Sequence, residues 1–159
     1  MNCFFNPQSE MALPKLNFPS YEFRMRDNKS RPEIFDVVRK KWVTLTPEEW
    51  VRQHTAKWLI EEKNYPASLL AVEKSIAVNG LTRRCDIVAF NHETKPVLIV
   101  ECKAHDVEIN QHVFDQAARY NLTLDVNLFL LTNGLQHFCC EVDHENEKYV
   151  FLKELPSYF

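Results

Sequence analysis

Four stretches of the sequence place an acid two residues before a lysine: Asp27-Asn28-Lys29, Glu61-Glu62-Lys63, Glu93-Thr94-Lys95 and Glu101-Cys102-Lys103. At that spacing an acid and an amine fall on one side of an extended strand, where together they can hold a cation and neutralise a developing anion. Only the fourth stands where a substrate could meet such a pair. It ends the apolar run Val97-Leu98-Ile99-Val100, at the point where a strand leaves the core, whereas the other three lie in predicted turns or at a helix end. Along that strand Glu101 and Lys103 share a face with Val97 and Ile99, and Leu98, Val100 and Cys102 point the other way. If the preceding hairpin pairs Asn91 with Pro96, Asp86 falls opposite Glu101, with Cβ atoms roughly 4.5 to 5.5 Å apart. Two carboxylates that close repel, and each is costly to desolvate. Lys103 offsets part of this. A magnesium ion, which takes one or two carboxylates together with waters and a substrate phosphate, is the better answer, and the backbone carbonyl of Cys102 is a natural further ligand.

A second signal follows downstream. Ile109, Val113, Ala117, Tyr120 and Leu124 keep the helical period, and Gln116 lies in the same stripe. A glutamine on a packing face needs a polar partner. Coming after the strand that bears Glu101 and Lys103, it can reach back towards the carboxylates or a substrate; a single satisfied amide between helix and sheet explains it equally well.

The elements that must position these residues are also marked. Thr46-Pro47-Glu48-Glu49 predicts a helix start, with Thr46 as N-cap, Pro47 at the first helical position and Glu49 completing a capping box. That helix runs to about Lys63, with Trp50, Val51, His54, Trp58 and Leu59 as its apolar side. Leu69 to Val78, Arg84 to Phe90 and Val97 to Lys103 read as strands, joined at Asn79-Gly80 and across Asn91 to Pro96. A second helix spans about Val107 to Leu122. Val126 to Thr132 reads as a buried strand, and Gln136 to Val142 and Tyr149 to Leu152 as closing strands after the turn at Asn133-Gly134. Upstream, Tyr21 to Met25 and Glu33 to Val38 predict a hairpin, followed by a short strand over Trp42 to Leu45. Residues 1–20 lack periodicity and are expected to be a poorly structured lead-in, within which Met11 is a second candidate start. The expectation is one domain over 21–159 with its core at about 46–132: an α/β fold of order αβββαβ, a mixed sheet flanked by helices, an N-terminal β-hairpin extension and extra C-terminal strands.

Composition removes several classes of function. The chain has 159 residues, 45% of them apolar, enough for one domain with a proper core. Only Gly80 and Gly134 are glycines, so neither a Walker loop nor a dinucleotide fingerprint can be written. No apolar run is long enough to span a bilayer and the N-terminus lacks a secretory signal, so no membrane association is expected and the cytoplasm is the default compartment. The five cysteines, Cys3, Cys85, Cys102, Cys139 and Cys140, contain no Cys-x-x-Cys pair and read as reduced and mostly buried. Net charge is −3, yet residues 15–57 carry ten Lys and Arg against six Asp and Glu. That arm reads either as a phosphate contact or as ordinary solvated turns.

Asp86, then Glu101-Cys102-Lys103 at the end of an apolar strand, then Gln116-Ala117-Ala118-Arg119-Tyr120 as Gln-x-x-x-Tyr, resemble the PD-(D/E)XK nuclease superfamily. Within it the sequence is most similar to the N-terminal nuclease domain of type I restriction enzyme R subunits. The similarity covers about Thr46 to Thr132, with Cys85 where the motif's proline would stand and without the motor regions of a full R subunit. The resemblance implies metal-dependent hydrolysis of DNA phosphodiesters, endonucleolytic first, in restriction or repair. Asp86 and Glu101 with the Cys102 carbonyl would hold Mg²⁺, with Mn²⁺ as substitute; Asp86, Glu101 and Lys103 would be catalytic. Gln116, Tyr120, Arg119 and Glu49 would support substrate binding, although the cap role of Glu49 is a sufficient structural explanation. The partners it implies are DNA and either a second copy or a separate motor or specificity protein. A nuclease-fold DNA-binding or regulatory module without turnover of its own is the alternative.

Overall fold

The computed structural model describes residues 13–159 except Asn79. Cys3, Met11 and residues 1–12 of the expected lead-in lie outside the described residues. The described chain forms two sheets, two α-helices and a single 3-10 turn, Ala67–Leu69. β1 (Met25–Asn28), β2 (Arg31–Asp36) and β3 (Lys41–Thr44) make an antiparallel sheet; β4 (Leu70–Val78), β5 (Leu81–Phe90), β6 (Pro96–Cys102), β7 (Leu128–Thr132), β8 (His137–Asp143) and β9 (Lys148–Leu152) make a six-stranded sheet in chain order. α1 (Pro47–Glu61) precedes β4, and α2 (Gln111–Leu122) connects β6 to β7. The expected order of helix, three strands, helix and strand is present. Only β6 and β7 pair in parallel, because only they are joined by a helical crossover.

The core lies on both faces of the larger sheet. Val51 and Leu59 of α1 pack with Val72, Ile87, Ala89, Leu98, Val100 and Leu130. On the opposite face Phe114 and Ala118 of α2 pack with Val88, Ile99, Phe129 and Leu131. Each such Val, Leu or Ile contributes about 1.5–3 kcal/mol when taken out of water.

Local chemistry fixes the helix ends. The Thr46 side chain accepts from the Glu49 amide at 3.0 Å, as the sequence predicts. The other half of the capping box is absent, since the Glu49 carboxylate turns inward to arginines. α1 stops at Glu61 rather than Lys63; Asn64 takes a φ of 59° and the Tyr65 amide returns to the Leu59 carbonyl. Its buried residues include Glu49, Arg52 and Gln53, while Trp50 and Trp58 are only partly buried, so the predicted apolar side was incomplete. α2 begins at Gln111, four residues later than expected, because Asn110 caps it by accepting from the Val113 amide at 2.9 Å.

Three other expectations are corrected. The N-terminal hairpin turns over Lys29 and Ser30, whose φ values of 51° and 67° suit a tight two-residue turn, and its first strand is therefore Met25–Asn28. Tyr21 and Phe23 instead lie against His54 of α1. From residue 13 onward the lead-in is docked: Leu16 is buried, the Asn17 amide donates to the Gly134 carbonyl, and the Trp50 indole donates to the Pro14 carbonyl. Finally, Phe90 rather than Asn91 pairs with Pro96; a bulge inserts Val97, which packs towards α1 and not on the face of Ile99.

Candidate active site

Past the bulge the β5 and β6 register is the one the hairpin argument needs. Ile87 pairs with Val100, and one further step would set Asp86 opposite Glu101. The pairing stops there. On the other side of β5, pairing with β4 skips Asp86 and Glu73, the latter at a φ of 51°. Face alternation also breaks at this point: Val72 and Ile87 pack towards α1, whereas Ile76 and Cys85 pack towards α2. Asp86 thus turns into the gap between β5 and β6. Its Oδ2 accepts from the Cys102 amide at 2.7 Å, in place of a main-chain partner, and its Oδ1 accepts from Arg52 at 2.8 Å.

Glu101 and Lys103 face the α2 side, where a cavity of about 740 Å³ opens. Lys103 Nζ donates to Glu101 Oε1 at 3.3 Å. Gln116, Arg119 and Tyr120 line the same cavity; Asp86 and Glu49 do not. Burial, and then the charge of Asp86, hold the Glu101 carboxyl above the usual range, while Lys103 pulls it down. The expectation that Asp86 and Glu101 share one face is corrected: Asp86 turns towards Arg52 of α1, because the pairing of β5 breaks at that residue, while Glu101 faces the cavity on the α2 side. Gln116 is exposed towards the cavity rather than buried on a packing face: the buried residues of α2 are Phe114, Ala118 and Asn121. Tyr120 is 55% exposed.

Behind Asp86 lies a polar network that the sequence reading missed. Arg52, whose side chain is 5% exposed, donates to Glu48, Glu49 and Asp86. Arg39 donates to Asp36, Glu49 and Glu73, and the Gln53 amide donates to Asp36 and Glu49. Glu49 is thus spent on holding α1 to β2 and the sheet. The spacing of Glu48 and Glu49 to Arg52 is a helical pairing pattern that could have flagged the arginine. Its bond to Asp86, 34 residues away, has no such signal.

The donors at this place suit a small hard cation. Lys103 N donates to the Thr132 carbonyl on β7, so by strand alternation the Cys102 amide and carbonyl face the β5 gap that Asp86 enters. Two carboxylates and a carbonyl are oxygen donors of the kind Mg²⁺ selects. Among the described residues no three His, Cys, Asp or Glu side chains form a cage. Mg²⁺ needs none, because it keeps several waters. Asp86 would exchange its Arg52 contact to take part.

The family described as "Type I restriction enzyme R protein N terminus (HSDR_N)" matches residues 47–156. Among solved structures, a fragment assigned to the HsdR subunit of a type I restriction enzyme from Vibrio vulnificus YJ016 is 18% identical, with 67% of this chain and 23% of that one covered and a TM-score of 0.45. This chain thus spans under a quarter of that structure's length. No curated protein matches. No helix among the described residues is long and apolar enough to cross a membrane.

Proposed function

Because the chain belongs to the type I restriction enzyme R protein N-terminal family, we propose that it is a metal-dependent deoxyribonuclease domain of the PD-(D/E)XK type, cutting within strands. The observation that carries this is the Lys103 and Glu101 pair on the wall of an open cavity, with Asp86 beside it at the end of the β5 and β6 pairing. Asp86, Glu101 and the Cys102 carbonyl would hold Mg²⁺, or Mn²⁺ in its place. When bound, the ion would polarise the scissile phosphate and acidify an attacking water. The water oxygen forms a bond to phosphorus, the bridging P–O bond breaks, and the departing strand end takes a proton. Lys103 places its ammonium where negative charge grows on the phosphoryl oxygens, and can orient the water. Gln116 and Tyr120 line the approach and steer the strand. DNA is the partner, within a restriction complex in which a motor or specificity protein, or a second copy, presents it.

Lys103→Ala should lower cleavage by about 10²–10³-fold, as expected for loss of one charge-stabilising donor. The measurement is cutting of linear, supercoiled and single-stranded DNA with Mg²⁺ or Mn²⁺, with and without chelator. Wild type that leaves every form as intact as Lys103→Ala does would overturn the reading. One observation favours a second reading, a nuclease-fold module without turnover of its own: both Asp86 oxygens are already engaged, by Arg52 and by the Cys102 amide. Metal binding without cutting would select it.

A further inference from the structure

The cavity beside Glu101 and Lys103 carries an excess of positive charge in a chain whose net charge is −3. Among the described residues four cationic side chains line it, Arg83, Arg84, Lys103 and Arg119, against the single acid Glu101. Lys103 is paired with Glu101, and Arg84 with Glu73. Among the described residues Arg83 and Arg119 have no carboxylate partner. The Arg83 Nε is buried, with no hydrogen-bond acceptor among the described residues. Its guanidinium instead lies over the Tyr120 ring, 4.5 Å from the centroid. A buried donor left without an acceptor is costly, and the oxygen of an anion is one acceptor that would satisfy it with a charge-assisted bond.

Tyr120 supplies the second half of the argument. Arg83 stacks over the ring, yet the residue is 55% exposed on the rim of a cavity of about 740 Å³. That volume falls in the range of roughly 300–1,000 Å³ typical of ligand pockets. A cationic cleft with an accessible aromatic ring suits a phosphodiester whose base can stack. A base inside a duplex offers only its edges, and drawing it out costs unstacking and unpairing.

We propose that this cavity binds one unpaired nucleotide of a DNA strand, its phosphate on Arg83 and Arg119 and its base stacked on Tyr120, so that the domain takes single-stranded or gapped DNA in preference to intact duplex. The proposal rests on the nuclease reading for the identity of the polyanion. Gln116, exposed on the same wall, is placed to meet the sugar or the base edge.

The test is binding in EDTA, where cutting cannot interfere, followed by anisotropy of a labelled oligothymidine of about 12 nucleotides and of a hairpin duplex with as many phosphates. The single strand should bind at least about 10-fold more tightly than the duplex. Tyr120→Ala should weaken single-strand binding by roughly 5- to 150-fold while Tyr120→Phe keeps it. Arg83→Gln should flatten the single-strand salt dependence, the logarithmic slope losing about 0.7. Far-ultraviolet dichroism melts identify the folded variants to be compared. Equal affinity for both DNA forms, or a folded Tyr120→Ala that binds the single strand like wild type, would overturn the proposal. Tyr120-dependent binding by a protein that never cuts DNA would leave the pocket standing and remove the nuclease. Cutting without any Tyr120 effect on binding would do the reverse.

Discussion

Asp36 shows how one buried acid anchors the wall behind the candidate site. It is fully buried, and burial alone would push its carboxyl up; the Arg39 amide and guanidinium and the Gln53 amide outweigh this and leave it below the usual carboxylate range. A carboxyl lowered by folding stabilises the native state above its unfolded value of 3.8, and that stability is lost as pH falls through the lower folded value. Urea midpoints should therefore drop steeply on the acid side of 3.8, and Asp36→Asn should flatten that limb while lowering stability at neutral pH. An unchanged acid limb would show that the network does not depend on this charge. The same network explains why Glu49 does not reach the cavity: Arg39, Arg52 and Gln53 claim both of its oxygens.

Among the elements, α1 was legible to its first turn because Thr46 and Pro47 act locally. So was the common side of Ile99, Glu101 and Lys103, since alternation needs no distant partner, but not the departure of Val97 from it, which the bulge causes. The break at Asp86 was not legible, because it depends on Glu73 of β4 and Arg52 of α1 arriving together. The docking of the lead-in was hidden too, being an aperiodic segment that finds a home only after the turn following β7 is built. Gly134, at a φ of 83°, would place an added Cβ 2.9 Å from Leu16, so the two fit as a pair. Leu16→Ala should cost about 2–5 kcal/mol, read as a lower urea midpoint; a loss within 0.5 kcal/mol, the usual scatter of surface changes, would show that the segment merely rests on the surface.

For the molecule as a whole, the larger sheet divides the labour. The α1 face locks Asp86 into a charged brace, and the α2 face leaves Glu101 and Lys103 open in a cavity. A cation shared across that divide should raise thermal stability by mass action in wild type and leave Glu101→Ala unmoved. Melting with graded Mg²⁺ measures it, and equal shifts in both proteins would place the ion elsewhere. The bulge at Val97 has a separate practical meaning. It lies between the exposed tip around Glu93 and Thr94 and the inner pairs from Ala89–Leu98 to Ile87–Val100, and those inner pairs, not the tip, lead the two strands in towards the acids. A fluorophore or epitope grafted at that tip would ride on the protein without retuning its centre.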